Sequence, residues 1–561
     1  MMNMKKFKYI GVMITAAMAI GAVSCSDFDD YNTVKNDGGS AAATAGQTLW
    51  ENISSDSQLS DFASIIKKVG FDDELNSATF YTVWAPLNGT YDAASLLASD
   101  DETVLKQFVK NHIASYNYPA TGTIDERIHT LNLKSYDFTG SGAYTYAGIG
   151  LAQANIPSSN GVMHTLNGYA AFYPNIYEYF SLGEDIDSVG AFVNHYEITE
   201  LDEESSIIGP VVNGRQTYID SVMVTSNTLI SQLGARISNE DSSYTAVIPN
   251  NEAWIEAYNR IKPYYKYATT TNCQQLADND TKISTVTATV DPVYMQDSMT
   301  KRKLVEYMFF SNNDDYNKWI ENPSAVNNDT IRTTRRAKLS QPDRILDRIV
   351  NKVTMSNGYA CIVDSLAHFS WETYAPELTI SATRNEARVL RGSVKNTYVN
   401  DPDQSMVDTK GYSMSYLLVE PNSASALPEL DIYLPEVLST EYNLYCVVVP
   451  ADVSLSDTIS EVKPTSLKFE LSYATASGAI ASKVLGTYEN DTAKVDTMYI
   501  GNFTFPVAYK GLGDGYQPNI KMTIPYTMFN KTAMNTYTRQ LRIAAIILRP
   551  VEYDAYLGKE E

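Results

Sequence analysis

Apolar residues recur along the chain at two spacings. Leu59, Phe62, Ile65, Ile66 and Val69 fall three or four residues apart, the stripe of an amphipathic helix, and Gly70 stands where its C-terminal stop belongs. Tyr81, Val83 and Ala85 then alternate, predicting a strand that ends at Pro86 because proline has no N–H to give to a ladder. Leu229, Ile230, Leu233 and Ile237 repeat the helical stripe and predict a second such helix. From Pro376 to Tyr556 period two dominates. Leu467, Phe469, Leu471 and Tyr473 alternate with Ser466, Lys468, Glu470 and Ser472, and strands are expected in NLYCVVVP ending at Pro450, YIGNFTFPVAY from Tyr499, NIKMTIPY from Asn519 and RQLRIAAIILRP ending at Pro550. GLGDG from Gly511 separates two of them as a turn, since no helix follows it. Short strands at this spacing predict an all-β sandwich.

The first half of the pattern occurs twice. YTVWAPLN from Tyr81 matches YTAVIPNN from Tyr244 at an offset of 163, while SNGVMHTLNGYAAF from Ser159 matches SNGYACIVDSLAHF from Ser356 at an offset of 197. FVKNHI from Phe108 pairs with LVEYMF from Leu304 at 196, which places an insertion in the second copy near residues 261–300. Within it Tyr264, Tyr265 and Tyr267 offer aromatic surface on a polar loop, with a hairpin expected through Ile283 to Val290; Trp319 lies in a second polar stretch. These four aromatics are the candidate interaction loop.

Composition narrows the chemistry. The 561 residues carry 66 acidic and 43 basic side chains, a formal charge of -23 that repels nucleic acid. Only 5 histidines and 4 cysteines are present, few for metal ligation or general-base work. The repeat weakens that case further: His112 aligns with Met308 and His164 with Cys361, both well-buried residue types, so these histidines read as structural, and His129, His195 and His368 form no pattern. No G-x-S-x-G, C-x-x-C, H-E-x-x-H or Walker motif occurs, and the carboxylate pairs Asp278/Asp280 and Asp401/Asp403 lack the remainder of an EF-hand loop. No catalytic residue, cofactor or metal is expected.

The N-terminus sets an expected compartment. Lys5, Lys6 and Lys8 precede an apolar run from Tyr9 to Val23 that is too short to span a bilayer, and Ala22, Val23 and Ser24 lead into Cys25. This resembles a lipobox cleaved before a lipidated Cys25. Ser26, Asp27, Asp29 and Asp30 resemble the acidic signal that sends lipoproteins of Bacteroidota-type bacteria to the cell surface. Cleavage removes the three lysines and takes the formal charge from -23 to -26, so the acyl chains on Cys25, not electrostatics, would hold the protein to outer-membrane lipid.

The blocks YTVWAPLN, FVKNHI and SNGVMHTLN, and YTAVIPNNEAW, LVEYMF and SNGYACIVD, resemble the fasciclin family. The resemblance implies an α+β chain: two tandem fasciclin-like modules, each a β-sandwich with flanking helices, followed by an all-β sandwich-like C-terminal domain. The boundaries read 1–24 signal peptide, 25–47 lipidated tether, 48–182 first module, 183–373 second module and 374–561 C-terminal domain. It further implies a protein without enzymatic activity that serves adhesion or protein contact, as an accessory to a TonB-dependent glycan-uptake complex of the outer membrane. The competing reading is a surface protein that binds polysaccharide on its C-terminal sandwich.

Overall fold

The computed structural model describes residues 46–212, 214–317, 330–399, 415–423, 425–450, 462–492 and 494–560. The chain divides into two compact units. The first runs to Tyr179 and takes in Ile237–Ser243 and Thr354–Gly358; the second holds the remainder.

The first unit is built on a seven-stranded sheet of order β2-β1-β7-β6-β5-β4-β3, from β1 (Tyr81–Pro86), β2 (Ile113–Ser115), β3 (Thr123–His129), β4 (Ser135–Ser141), β5 (Ala143–Tyr146), β6 (Ile149–Ser158) and β7 (Gly161–Leu166). β1 pairs parallel with β7, and both strands are buried along their whole length. Their alternation therefore feeds two cores. Tyr81, Val83 and Ala85 face helices α1 (Leu49–Ser55) and α2 (Ser60–Lys68), where Phe62, Ile65 and Ile66 are fully buried, while Trp84 packs with Ile128, Phe138 and Tyr146 on the opposite side. Helix α2 stops as its sequence predicts: Gly70 takes φ 68, and the Gly70 and Phe71 N–H groups close back on the carbonyls of Lys67 and Ile66.

A buried asparagine joins these parts. Asn160, in the SNG turn before β7, accepts from the Leu49 N–H at 2.8 Å and donates to the carbonyls of Leu75 at 2.9 Å and Ser77 at 2.7 Å. The next residue must be glycine, since a Cβ on Gly161 would meet the Tyr81 carbonyl oxygen at 1.9 Å. Thr48 and Glu51 cap α1 reciprocally.

The same bonding scheme recurs later in the chain. Asn357 accepts from the Ile176 N–H at 3.0 Å and donates to Ile237 and Asn239 carbonyls at 2.8 and 3.2 Å. Asn175 and Glu178 form the matching reciprocal cap on α3 (Ile176–Leu182). After a two-stranded ribbon of β8 (Glu197–Val212) and β9 (Arg215–Asn227), β10 (Tyr244–Pro249), β13 (Phe309–Ser311), β16 (Ile349–Met355) and β17 (Gly358–Val363) form a four-stranded sheet of order β13-β10-β17-β16, the order of β2-β1-β7-β6. Tyr81 faces Ser115 across β1–β2, and Tyr244 faces Ser311 across β10–β13.

The helix expected over Leu229–Ile237 is absent. Leu229, Ile230, Leu233 and Ile237 are buried, but only Ile230–Gln232 forms a helical turn, and Gly234 at φ 67 leaves the right-handed region. The counterpart of α2 is α4 (Asp187–Asn194). The Asn88 side chain accepts from the Asp61 N–H, and the Asn251 side chain accepts from the Ser188 N–H. Ile186, Val189 and Val193 take the buried places of Leu59, Phe62 and Ile66. The ribbon β8–β9 then separates α4 from Leu229, displacing the apolar stripe from its helix.

The insertion folds as β11 (Thr270–Gln275) paired with β12 (Ser284–Thr289), between α5 (Asn251–Ile261) and α6 (Pro292–Glu306); β14 (Ile331–Arg332) and β15 (Lys338–Leu339) pair as a short hairpin. The C-terminal region is a pair of antiparallel sheets, as expected. One has the order β20-β21-β28-β23-β26, with β18 also on β28; the other is β19-β22-β27-β24-β25. The strands are β18 (Leu378–Ser381), β19 (Arg388–Arg391), β20 (Val394–Val399), β21 (Tyr416–Pro421), β22 (Glu429–Tyr433), β23 (Glu441–Val448), β24 (Ser466–Ala474), β25 (Ile480–Glu489), β26 (Asp496–Thr504), β27 (Asn519–Thr523) and β28 (Leu541–Pro550). In β24 Leu467, Phe469 and Leu471 are fully buried, while Tyr473, after a register shift, is half-buried. The region is not wholly β: residues Val551–Glu560 form helix α7, whose Asp554 accepts from Asn443 and Tyr445 of β23.

Both aligned histidines are structural. His112 donates through Nδ1 to the Phe108 carbonyl at 2.7 Å and accepts at Nε2 from the Ala170 N–H at 2.9 Å. His164 accepts at Nδ1 from the Asn155 N–H and donates through Nε2 to the Tyr118 carbonyl at 2.9 Å. Burial holds each imidazole neutral, its pKa pushed down to about 4. Met308 and Cys361, their sequence counterparts, are buried too.

Two outcomes are expected for stability. Asn160→Ala strands one donor and two acceptors in the core, and urea unfolding should show a loss of about 2–4 kcal/mol with an unchanged m value. Because both imidazoles have folded pKa values below the ordinary 6.5, their contribution is complete above pH 6.5 and lost as pH falls toward about 4. On the order of 3 kcal/mol rides on each. Unfolding midpoints measured across that range should fall steeply for the native chain and less steeply for His112→Met.

Candidate functional site

The expected lipidation residue Cys25, the expected export residues Ser26, Asp27, Asp29 and Asp30, and Trp319 lie outside the described residues. Among the described residues no helix is long and apolar enough to cross a membrane, and no group of three or more His, Cys, Asp or Glu is placed to hold a metal. Asp278 instead accepts from the Leu390 N–H and Asp280 from the Lys282 N–H. Cys273, Cys361 and Cys446 are free and buried, and burial raises all three thiols, Cys273 to about 12, which leaves them poor nucleophiles.

The tyrosines of the insertion do not form an outward aromatic surface. Tyr265 is fully buried, and Tyr267, 9% exposed, donates its hydroxyl to the Lys510 carbonyl at 2.7 Å. Tyr264 is half-buried, its ring edge-on to Tyr374 at 5.1 Å and its carbonyl accepting from the Ser439 N–H. Further along, Asn272 bonds the Gly478 carbonyl through both backbone and side chain, and the Leu276 N–H reaches the Tyr433 hydroxyl at 2.8 Å. A Cβ on Gly478 would meet the Thr270 carbonyl oxygen at 1.6 Å, so the β24–β25 turn and β11 approach at backbone distance. For these three tyrosines the expected outward surface is corrected: tyrosine combines a large apolar ring with one polar handle, and here the rings of Tyr265 and Tyr267 are buried inside the second unit and the Tyr264 and Tyr267 hydroxyls reach Glu552 and the Lys510 carbonyl of the C-terminal region.

Two cavities among the described residues bear on a site. The one in the second unit, about 260 Å³, is lined by charges that satisfy one another. Lys303 and Arg335 share Glu306, Lys510 pairs with Glu436, and Arg302 bonds Gln232 at 2.8 Å over the ring of Tyr196. Burial alone would raise the Glu306 carboxyl, but Lys303 and Arg335 outweigh it and hold the pKa below the usual range.

The cleft in the first unit is larger, about 420 Å³. β3 and β4 place Arg127 directly opposite Asp137, and the β5–β6 turn supplies Ala147 at φ 53 and Gly148 at φ 76. The segment after β7 contributes Tyr169 and Tyr173, each 42% exposed. Tyr136 is half-buried, its hydroxyl 2.8 Å from Asn111 Oδ1 and 2.9 Å from the Ala171 carbonyl, and burial pushes that phenol up. Beside the cleft, Lys134 is almost wholly buried, with Nζ 2.6 Å from Glu178 and 2.7 Å from Glu240. None of these residues stood out in the sequence; the only local trace is the four-residue spacing of Tyr169 and Tyr173.

Residues 57–169 match the fasciclin domain family. No curated protein sequence matches the chain. Among solved structures, the chain is similar to the FAS1 domain pair of the insect cell adhesion molecule fasciclin I, with 14% identity over 57% of this chain and 99% of that one and a TM-score of 0.20. A xylan-binding family 22 domain from Paenibacillus barcinonensis aligns at 8% identity over 31% of this chain and 98% of that one, TM-score 0.20. The family 22 and catalytic modules of a Clostridium thermocellum xylanase align at 12% identity over 31% and 28% of the two chains, TM-score 0.20. Over residues 57–169, then, the chain matches a domain family associated with cell adhesion and protein interaction, and that stretch folds with both sheet and helices.

Proposed function

We propose that the protein is a non-enzymatic lipoprotein of the outer membrane, anchored through Cys25 and exposed on the cell surface, that acts by protein contact as an accessory of a TonB-dependent nutrient-uptake complex. The observation that carries the reading is the fasciclin domain at residues 57–169, a fold associated with adhesion and protein interaction. The recurring strand order and asparagine clamp support reading the later copy as a second fasciclin-like module. The lipobox resemblance at Ala22–Cys25 supplies the anchor, and the acidic stretch Ser26–Asp30 the surface address. The chemistry is consistent with contact: the three described thiols are buried and His112 and His164 are held neutral by burial and hydrogen bonds.

Glycan binding on the C-terminal sheets is a second reading, favoured by one observation. Tyr499 of β26 is 48% exposed and sits across from Tyr445 of β23, the two rings edge to face at 62° with centroids 5.6 Å apart, which leaves exposed aromatic surface on the sheet.

Tagged protein purified from membranes of its native host should bring down a TonB-dependent transporter, and the Cys25→Ala chain should not reach the membrane fraction. Recovery without any outer-membrane partner overturns the contact role. Protease added to intact cells should degrade the protein; full protection places it on the periplasmic side and refutes surface exposure.

A further inference from the structure

We propose that the tyrosine cleft of the first unit binds a neutral saccharide chain. The proposal is independent of any transporter, because the binding groups all belong to this chain.

The ligand class is set by the groups that the cleft offers. Tyr169 and Tyr173 are each 42% exposed, and Tyr136 already engages its hydroxyl with Asn111 and Ala171, so the cleft offers aromatic ring surface. Such surface suits the C–H face of a pyranose. The apolar side chains that complete the wall are modest or mostly buried, Ala147, Ile149, Ala171 and Met355, and give no deep socket for a large hydrophobic anchor.

The polar groups complement the rings. Asp137 has no side-chain partner among the described residues, and Arg127 uses one N–H on the Glu240 carbonyl at 3.2 Å, leaving the rest of its fork available. An acceptor and a donor fork on opposed strand positions suit the alternating donors and acceptors of adjacent hydroxyls. Their charges cancel, and Lys134 adds none because Glu178 and Glu240 neutralise it. An anionic ligand would therefore gain no net attraction here. At about 420 Å³ the cleft is within the range of small-molecule sites. It also depends on β3, β4 and β5, for which the four-stranded sheet of the second copy has no counterpart.

The test uses the whole soluble chain as Cys25→Ala, titrated calorimetrically with hexasaccharides of glucose, xylose and mannose, and with galacturonate hexamer as the charged probe. At least one neutral probe should bind saturably. Tyr169→Ala and Tyr173→Ala should each weaken it about tenfold or more, and the isosteric Asp137→Asn should weaken it with an unchanged thermal midpoint. Tyr499→Ala, on the C-terminal sheets, should leave it unaltered. Failure of every neutral probe, preference for galacturonate, or binding that survives both tyrosine substitutions or is lost with Tyr499→Ala overturns the assignment. Transporter recovery is unaffected by any of these results.

Discussion

One buried amide ties together the first helix, the turn that follows the second and the entry of β7. Asn160 satisfies the first N–H of α1 and the carbonyls of Leu75 and Ser77 at once, and a carboxamide can accept and donate in one plane. Its position fixes where α1 starts, where the segment after α2 turns back and how β7 enters beside β1. Because the bonds to Leu49 and Leu75 are buried and the one to Ser77 is partly so, breaking the arrangement strands groups that water cannot fully serve. Asn357 imposes the same three constraints later in the chain, which is why strand order survives there while helices and loops between the strands have been lengthened.

How much of this was legible depends on whether a signal is local. The Tyr81–Pro86 strand, the Gly70 stop, the SNG turns and the alternation in β24 each rest on neighbouring residues, and each is present in the structure. The missing helix over Leu229–Ile237 shows the limit. An apolar stripe records burial, and burial is met equally by a short turn and an irregular strand of chain. The helix that does match α2 was hidden because its buried face contains Gly190, a poor helix former. That glycine is demanded by packing: a Cβ there would lie 2.2 Å from the Phe180 carbonyl oxygen.

Side-chain roles divide in the same way. The alignment of His112 with Met308 and of His164 with Cys361 already argued against chemistry, and the hydrogen bonds of both imidazoles give the physical reason for their presence. The tyrosines of the insertion misled because a phenol reads identically at a surface and in a wet interface. The cleft was illegible altogether: Arg127, Asp137, Tyr169, Tyr173 and Ser356 are brought together only by the folded sheet and the returning Thr354–Gly358 segment.

The clasp between the insertion and the C-terminal sheets bears on how such a chain is inherited and taken apart. Residue 374 looks like a boundary in the sequence, yet Tyr265, Tyr267, Asn272 and Leu276 already belong to the packing of the sandwich on its far side. Cutting there would bare the Tyr265 and Tyr267 rings on one fragment and leave the Lys510 and Gly478 carbonyls without these partners on the other. A sandwich excised at residue 374 would therefore lose part of its own packing, and an excision that keeps it must carry the 261–300 insertion along.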